Sequence, residues 1–134
     1  MNLDFMEVLR SDELTHVLRI ISSLKSSLRE PVKILEIDAG AGWQARCLSE
    51  VGYSVEAIDI AQSEYYGARV WPVRQYDGAH IPFPDQYFDI VYSSNVLEHI
   101  PQLSEFQKEM QRVLRPNGFA LHLCRARRGG YGRM

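Results

Sequence analysis

Apolar residues at Leu14, Val17, Leu18, Ile21, Leu24 and Leu28 recur at spacings of three and four. That pattern predicts an amphipathic helix over residues 12–29, with Ser11 or Asp12 as its N-cap and Pro31 marking its end. The period then changes. Val32 to Ile37 is short and β-branched, as a buried strand requires, and a glycine-spaced turn leads from it into a short helix over 43–50 that Gly52 closes. Ser54 to Ile60 reads as a second strand, and the polar, tyrosine-containing stretch through Gly67 as a short helix. Val70 to Gln75 reads as a third strand, placed at an edge by Pro72. Phe88 to Ser93 is a fourth strand. Leu103 to Leu114 is a helix with Phe106, Met110, Val113 and Leu114 on one face; Pro116-Asn117-Gly118 is a turn, and Phe119 to Cys124 a fifth strand.

Strands alternating with helical segments imply right-handed crossovers and a mainly parallel sheet, an α/β doubly wound fold of the Rossmann-like class. The chain of 134 residues is long enough for one domain with a real core, assigned to residues 1–124. Residues 125–134 carry four arginines, no acid and no hydrophobic period, and are expected to form a flexible Arg/Gly-rich tail.

Composition narrows the classes. The chain is 46% hydrophobic and 24% charged, as ordinary globular proteins are, and a formal net charge of -2 argues against nucleic acid as a partner. No run approaches the roughly 20 apolar residues of a membrane span, so no membrane association is expected. The N-terminal region, with Asp4 and Glu7, lacks the basic and apolar parts of a signal peptide, which makes a cytoplasmic location the default expectation. Cys47 and Cys124 belong to no CxxC or Cys/His cluster; they are read as small buried hydrophobes, and no metal site is expected.

The candidate chemistry begins at Leu35-Glu36-Ile37-Asp38-Ala39-Gly40-Ala41-Gly42. Here a hydrophobic strand runs into glycines that let the backbone turn sharply and approach a ligand, and Asp59 ends the next apolar run. An acidic side chain about 20 residues beyond such a turn can accept hydrogen bonds from ribose hydroxyls. The glycine spacing does not discriminate by itself, because Gly40-Ala41-Gly42-Trp43-Gln44-Ala45 also satisfies the G-x-G-x-x-A form of NAD-binding folds.

Five ordered blocks decide between these ligands. They are Ile34 to Gly42, Ala57-Ile58-Asp59-Ile60, Asp77 to Asp85, Phe88 to Ile100, and Arg112-Val113-Leu114-Arg115-Pro116-Asn117-Gly118. Together they span roughly residues 32–124 and resemble the class I S-adenosylmethionine-dependent methyltransferases, in particular the small-molecule group with a type 11-like domain typified by ubiquinone-biosynthesis enzymes. An NAD-binding domain leaves the block from Asp77 to Ile100 unexplained.

The resemblance implies S-adenosylmethionine as cofactor and methyl transfer to a small-molecule acceptor. It places Glu36, Gly40 and Gly42 around the methionyl part, and Asp59, with Ile60 beside it, on the ribose hydroxyls. Asp77 falls on the adenine amino group with Gly78 edging the ring, and the main chain near Ser94 and Asn95 at the amino-acid end. Methyl transfer is an in-line displacement onto a cationic sulfonium that needs alignment and a dry site more than a base, so catalytic residues stay unassigned, with His99 the only candidate. His16 and His122 stand in apolar stretches and are read as structural, and Trp43 as packing.

Two departures stand out. Asp38 takes the position of the family's first glycine; at positive φ a non-glycine residue costs on the order of 1–2 kcal/mol, with Asp among the more tolerant types. Its charge attracts a sulfonium and an ammonium and repels a carboxylate, each by about 3 kcal/mol at ~5 Å and an effective dielectric of ~20. Asp38 therefore joins the candidate cofactor-binding residues. The second departure is length. A sheet of order 3-2-1-4-5 that stops before the family's final antiparallel strand pair leaves the fifth strand as an edge. This predicts a shortened protein or a truncated product, with a homodimer through that edge as one way of covering it. The alternative function is an inert, methyltransferase-like cofactor-binding or interaction module.

Overall fold

The computed structural model describes residues 3–28, 30–60, 68–94 and 96–124. Helix α1 spans Leu3–Leu24 and β1 Lys33–Ile37. Helix α2 runs over Trp43–Val51, β2 over Ser54–Ile60, β3 over Arg74–Tyr76 and β4 over Phe88–Ser94; α3 spans Leu103–Val113 and β5 Leu114–Leu123. The strands form one five-stranded sheet in the order β3-β2-β1-β4-β5, and every neighbouring pair is parallel. This is the expected doubly wound α/β fold. The order reverses between β1 and β4, where such sheets open a crevice beyond their carboxyl ends.

Strand alternation divides the core into two layers. Leu35, Ile37 and Val91 face α3, whose Phe106, Met110 and Val113 fill that side, and Phe88, the first residue of β4, joins this layer out of the alternation. Ile34, Ile90 and Tyr92 face the other way, against Leu14, Val17 and Ile21 of α1 and Leu48 of α2. Each large side chain sealed in this way contributes about 1.5–3 kcal/mol relative to exposure. Trp43 packs beside the second layer, as expected.

Several boundaries differ from the sequence pattern, each for a physical reason. Helix α1 begins nine residues before the predicted start at residue 12 and gives way to a 3-10 turn at Lys25–Ser27. The third strand is only Arg74–Tyr76. Pro72 lies outside it, although β3 is the expected edge. The predicted Pro116-Asn117-Gly118 turn is absorbed into β5, which pairs Leu114 with Phe88 and then jumps to Phe119 opposite Ile90, so residues 115–118 bulge out of register. The stretch 61–67, read as a short helix, and the tail 125–134 lie outside the described residues, as does Asn95. Cys124 is exposed and Cys47 half-buried, rather than both buried, and both are free thiols. His16 is exposed because it lies about 100° around α1 from the core-facing Val17. No described helix is long and apolar enough to cross a membrane.

Two polar clamps hold the loops that the sheet leaves free. Arg112 of α3 donates to the carbonyls of Ile81 and Phe83 and to the carboxylates of Asp85 and Glu109, while Glu109 accepts from Ile81 N. Asp89, 3% exposed, accepts from Lys33 N at 2.9 Å and from Arg115 Nη1 at 3.1 Å, tying the start of β1 to the bulge in β5. Most of the block at 81–89 and 112–118 is therefore scaffold.

Candidate functional site

The turn after β1 is built from left-handed residues. Asp38 has φ 53°, Gly40 φ 62° and Gly42 φ 85°. Gly42 opens α2 and supplies no side-chain cap, so the first-turn amides of that helix are left for other acceptors. A Cβ at Gly42 would come within 2.7 Å of Trp71 Cβ, and Val70 N donates to Ala41 O at 2.8 Å. The chain leading into β3 thus crosses against the glycine turn. Gly42 serves close packing with that crossing, and Gly40 is the glycine tied to the acidic partner.

That partner is Asp59, 5% exposed at the carboxyl end of β2. Its Oδ2 accepts from Gly40 N at 2.9 Å and its Oδ1 from Ile60 N at 2.8 Å. One lone pair on each oxygen is therefore engaged by main chain, and among the described residues one on each has no further donor. The neighbouring Ile60 is 36% exposed at the same edge.

Asp38 points into the same region. Tyr76, the last residue of β3, donates its hydroxyl to Asp38 Oδ1 at 3.1 Å. Burial pushes the Asp38 carboxyl up to about 6; the Tyr76 bond and His99 oppose the rise, and the nearby Asp59 charge adds to it. The Tyr76 phenol is raised in turn by burial and by Asp38. Glu36, two residues earlier on β1, is 4% exposed on the face it shares with Tyr92, whose hydroxyl donates to Gln44 Oε1 at 2.7 Å. His99 ends the 3-10 turn Leu97–His99 after β4 and is exposed.

Asp77 is placed differently from Asp59. Its Oδ1 accepts from Ala79 N and His80 N, and its Oδ2 sits 2.7 Å from His80 Nδ1, so the carboxylate caps its own turn, in which Gly78 has φ 85°. The His80 contacts hold the Asp77 carboxyl well below the usual range, and Asp77 raises His80.

Three contacts were not legible in the sequence. Besides Tyr76, Ser94 Oγ donates to Glu13 Oε2 at 2.6 Å, seating α1 over the carboxyl end of β4. Ser93 Oγ lies 2.6 Å from Nδ1 of His122, whose pKa is lowered by burial. Helix periodicity places Glu13 on the turn that carries Leu14, which is the signal available for it. Tyr76 and His122 become relevant only once strands are set side by side.

Glu36, Asp38, Gly40, Gly42, Asp59 and Ile60 thus converge at the carboxyl ends of β1 and β2, beside the β1/β4 switch point. A groove of about 610 Å³ lined by Asp85, Arg112, Arg115 and Pro116 lies at the amino end of β5, away from all of them.

A methyltransferase-domain model matches residues 35–122, most of the chain. The chain belongs to the class I S-adenosylmethionine-dependent methyltransferase family. It is 32% identical over 131 residues to a ubiquinone/menaquinone biosynthesis C-methyltransferase of Bordetella avium, covering 90% of this chain and 51% of that protein. An uncharacterized methyltransferase of Mycolicibacterium gilvum is 28% identical over 123 residues, covering 87% of this chain and 48% of that one. The chain spans about half the length of the curated relatives it matches. Among solved structures, an S-adenosylmethionine-dependent methyltransferase from Aquifex aeolicus superimposes with a TM-score of 0.68 at 22% identity, over 87% of this chain and 68% of its own, which speaks to the fold. One from Mesorhizobium loti gives 0.59 at 25% identity, over 75% and 51%.

Proposed function

We propose that this methyltransferase-family domain binds S-adenosylmethionine at the carboxyl ends of β1 and β2 and transfers its methyl group to a small-molecule acceptor. The observation that carries the reading is the Asp59–Gly40 bond. It fixes an acidic acceptor with spare lone pairs against a left-handed glycine turn at the switch point of the sheet. The donor set suits the group. Three carboxylates, Glu36, Asp38 and Asp59, favour hydroxyls and positive charge, and the uncapped start of α2 offers amides to a carboxylate. A dinucleotide's pyrophosphate would meet the same three carboxylates as repulsion, which disfavours NAD.

In this assignment Asp59 holds the ribose, Glu36 and Asp38 face the methionyl cation, and Gly40 and Gly42 keep the turn close. Asp77 and Gly78 border the adenine once the carboxylate exchanges His80 for the ligand. The cofactor supplies an activated methyl on a cationic sulfur. The chain supplies orientation and exclusion of water, with His99 the candidate proton acceptor. The acceptor meets the site from the side that α1 covers through Glu13 and Ser94. Among the described residues no strand pairs the outer side of β5, which supports a homodimer through that strand.

Calorimetric titration with S-adenosylmethionine, S-adenosylhomocysteine and NAD tests the reading. Micromolar binding of the first two and none of NAD is expected. Failure to bind any of them overturns it in favour of an inert module.

A further inference from the structure

The first position of the glycine turn carries a side chain, Asp38, and that side chain has a dedicated partner. Asp38 sits at φ 53°, a backbone region that Asp tolerates better than most residues. Its Oδ1 receives the Tyr76 hydroxyl, while the Tyr76 ring packs on Phe106 with centroids 6.4 Å apart. The phenol is therefore anchored in the α3 layer and holds a carboxyl at the mouth of the cofactor site. The charged groups facing this pair are Asp59 from β2, Asp77 from the turn after β3, and His99 from the turn after β4.

We propose that Asp38, positioned by Tyr76, is the residue through which the domain distinguishes a cationic methyl donor from its neutral, demethylated product. The inference rests on the cofactor reading above. The two ligands share the adenosine, the amino group and the carboxylate, so whatever Asp38 does to those groups cancels when their affinities are compared. What differs is one positive charge at sulfur. When the methyl leaves, the sulfonium keeps the bonding electron pair as a thioether lone pair and its charge disappears, and with it the attraction to Asp38. The carboxylate thus holds the donor before transfer and loosens its grip on the product afterwards.

The charge on Asp38 is present above about pH 6 and is lost below it, because burial raises the carboxyl. The discrimination therefore grows as pH rises through that value. Tyr76 opposes the rise, so removing its hydroxyl moves the change to higher pH.

The test is titration calorimetry of the chain with S-adenosylmethionine and S-adenosylhomocysteine between pH 5 and pH 8, on the wild type, Asp38→Asn and Tyr76→Phe. Asn tolerates the left-handed region, and thermal denaturation without ligand verifies that each variant folds. In the wild type the donor-to-product affinity ratio rises with pH. At pH 8, Asp38→Asn lowers that ratio about a hundredfold, the size of a charge pair at ~5 Å and an effective dielectric of ~20, and at pH 5 it leaves the ratio unchanged. Tyr76→Phe shifts the rise to higher pH without abolishing it. A wild-type ratio that ignores pH, or an Asp38→Asn chain that keeps the pH dependence, overturns the inference while leaving cofactor binding intact. A wild type that binds neither ligand overturns the cofactor reading and this inference with it.

Discussion

Asp59 combines two tasks at one carboxylate, and a substitution separates them. It satisfies Gly40 N and Ile60 N, two amides at the rim of the sheet, and in the proposed assignment it offers its remaining lone pairs to the ribose. Asp59→Ala leaves the buried Gly40 amide without its acceptor, which costs about 1–3 kcal/mol in chemical denaturation. It also weakens S-adenosylmethionine by about tenfold or more in calorimetry. Asp59→Asn keeps one acceptor oxygen and turns its NH2 against the other amide, so it is expected to recover at most about half of the stability and less of the affinity, because the bond to a charged acceptor is the stronger kind. An unchanged affinity in Asp59→Ala places the ribose elsewhere. At this scale the sequence shows Glu36, Asp38 and Asp59 as acids at strand ends, and the fold brings the three to one edge of the sheet. The sequence is silent on Tyr76, because a tyrosine beside Asp77 gains meaning only when β3 lies next to β2 and brings its last residue to Asp38.

Elements with long periods were legible, and those fixed by tertiary contacts were not. Helix α3 follows its apolar spacing almost to the residue, whereas β3 shrinks because Val70 and Trp71 are drawn onto the glycine turn instead of a ladder. The Pro116-Asn117-Gly118 signal predicts a turn, and the fold uses it inside β5 instead. Its structural use differs: it is a bulge, where a Cβ on Gly118 would lie 2.8 Å from Asp89 O. The element most dependent on a single side chain is the loop over residues 81–85, which Arg112 grips through two carbonyls and two carboxylates. Arg112→Ala strips the Ile81 and Phe83 carbonyls of their donor and is expected to cost about 2–3 kcal/mol in urea unfolding. Arg112→Lys is expected to restore less than half of that, since an ammonium cannot reproduce the planar fork. Full rescue by lysine would mean that charge alone, not the fork, holds the loop.

At the scale of the molecule, alternating strands and helices sufficed for the doubly wound class, and the family blocks for the order β3-β2-β1-β4-β5. The two edges of that sheet are unequal. β3 offers three residues, too short to template another chain. β5 offers ten, and beyond its bulge the run Phe119–Leu123 is regular, with Phe119, Leu121, His122 and Leu123 only partly buried and Ala120 exposed. Natural sheets blunt such an edge with charge, proline or a covering segment; among the described residues, Pro116 and the bulge protect only its first half. Two copies meeting antiparallel across this run would satisfy both edges and bring the two Ala120 residues close to the symmetry axis. Sedimentation velocity at micromolar concentration is therefore expected to show a species of about twice the 15.4 kDa chain. Ala120→Lys is expected to return it to the monomer, because like charges facing across paired strands repel while the exposed position spares the core. A wild type that sediments as a monomer, or an Ala120→Lys chain that remains dimeric, removes β5 as the interface and leaves the cofactor site, at the other flank of the sheet, untouched.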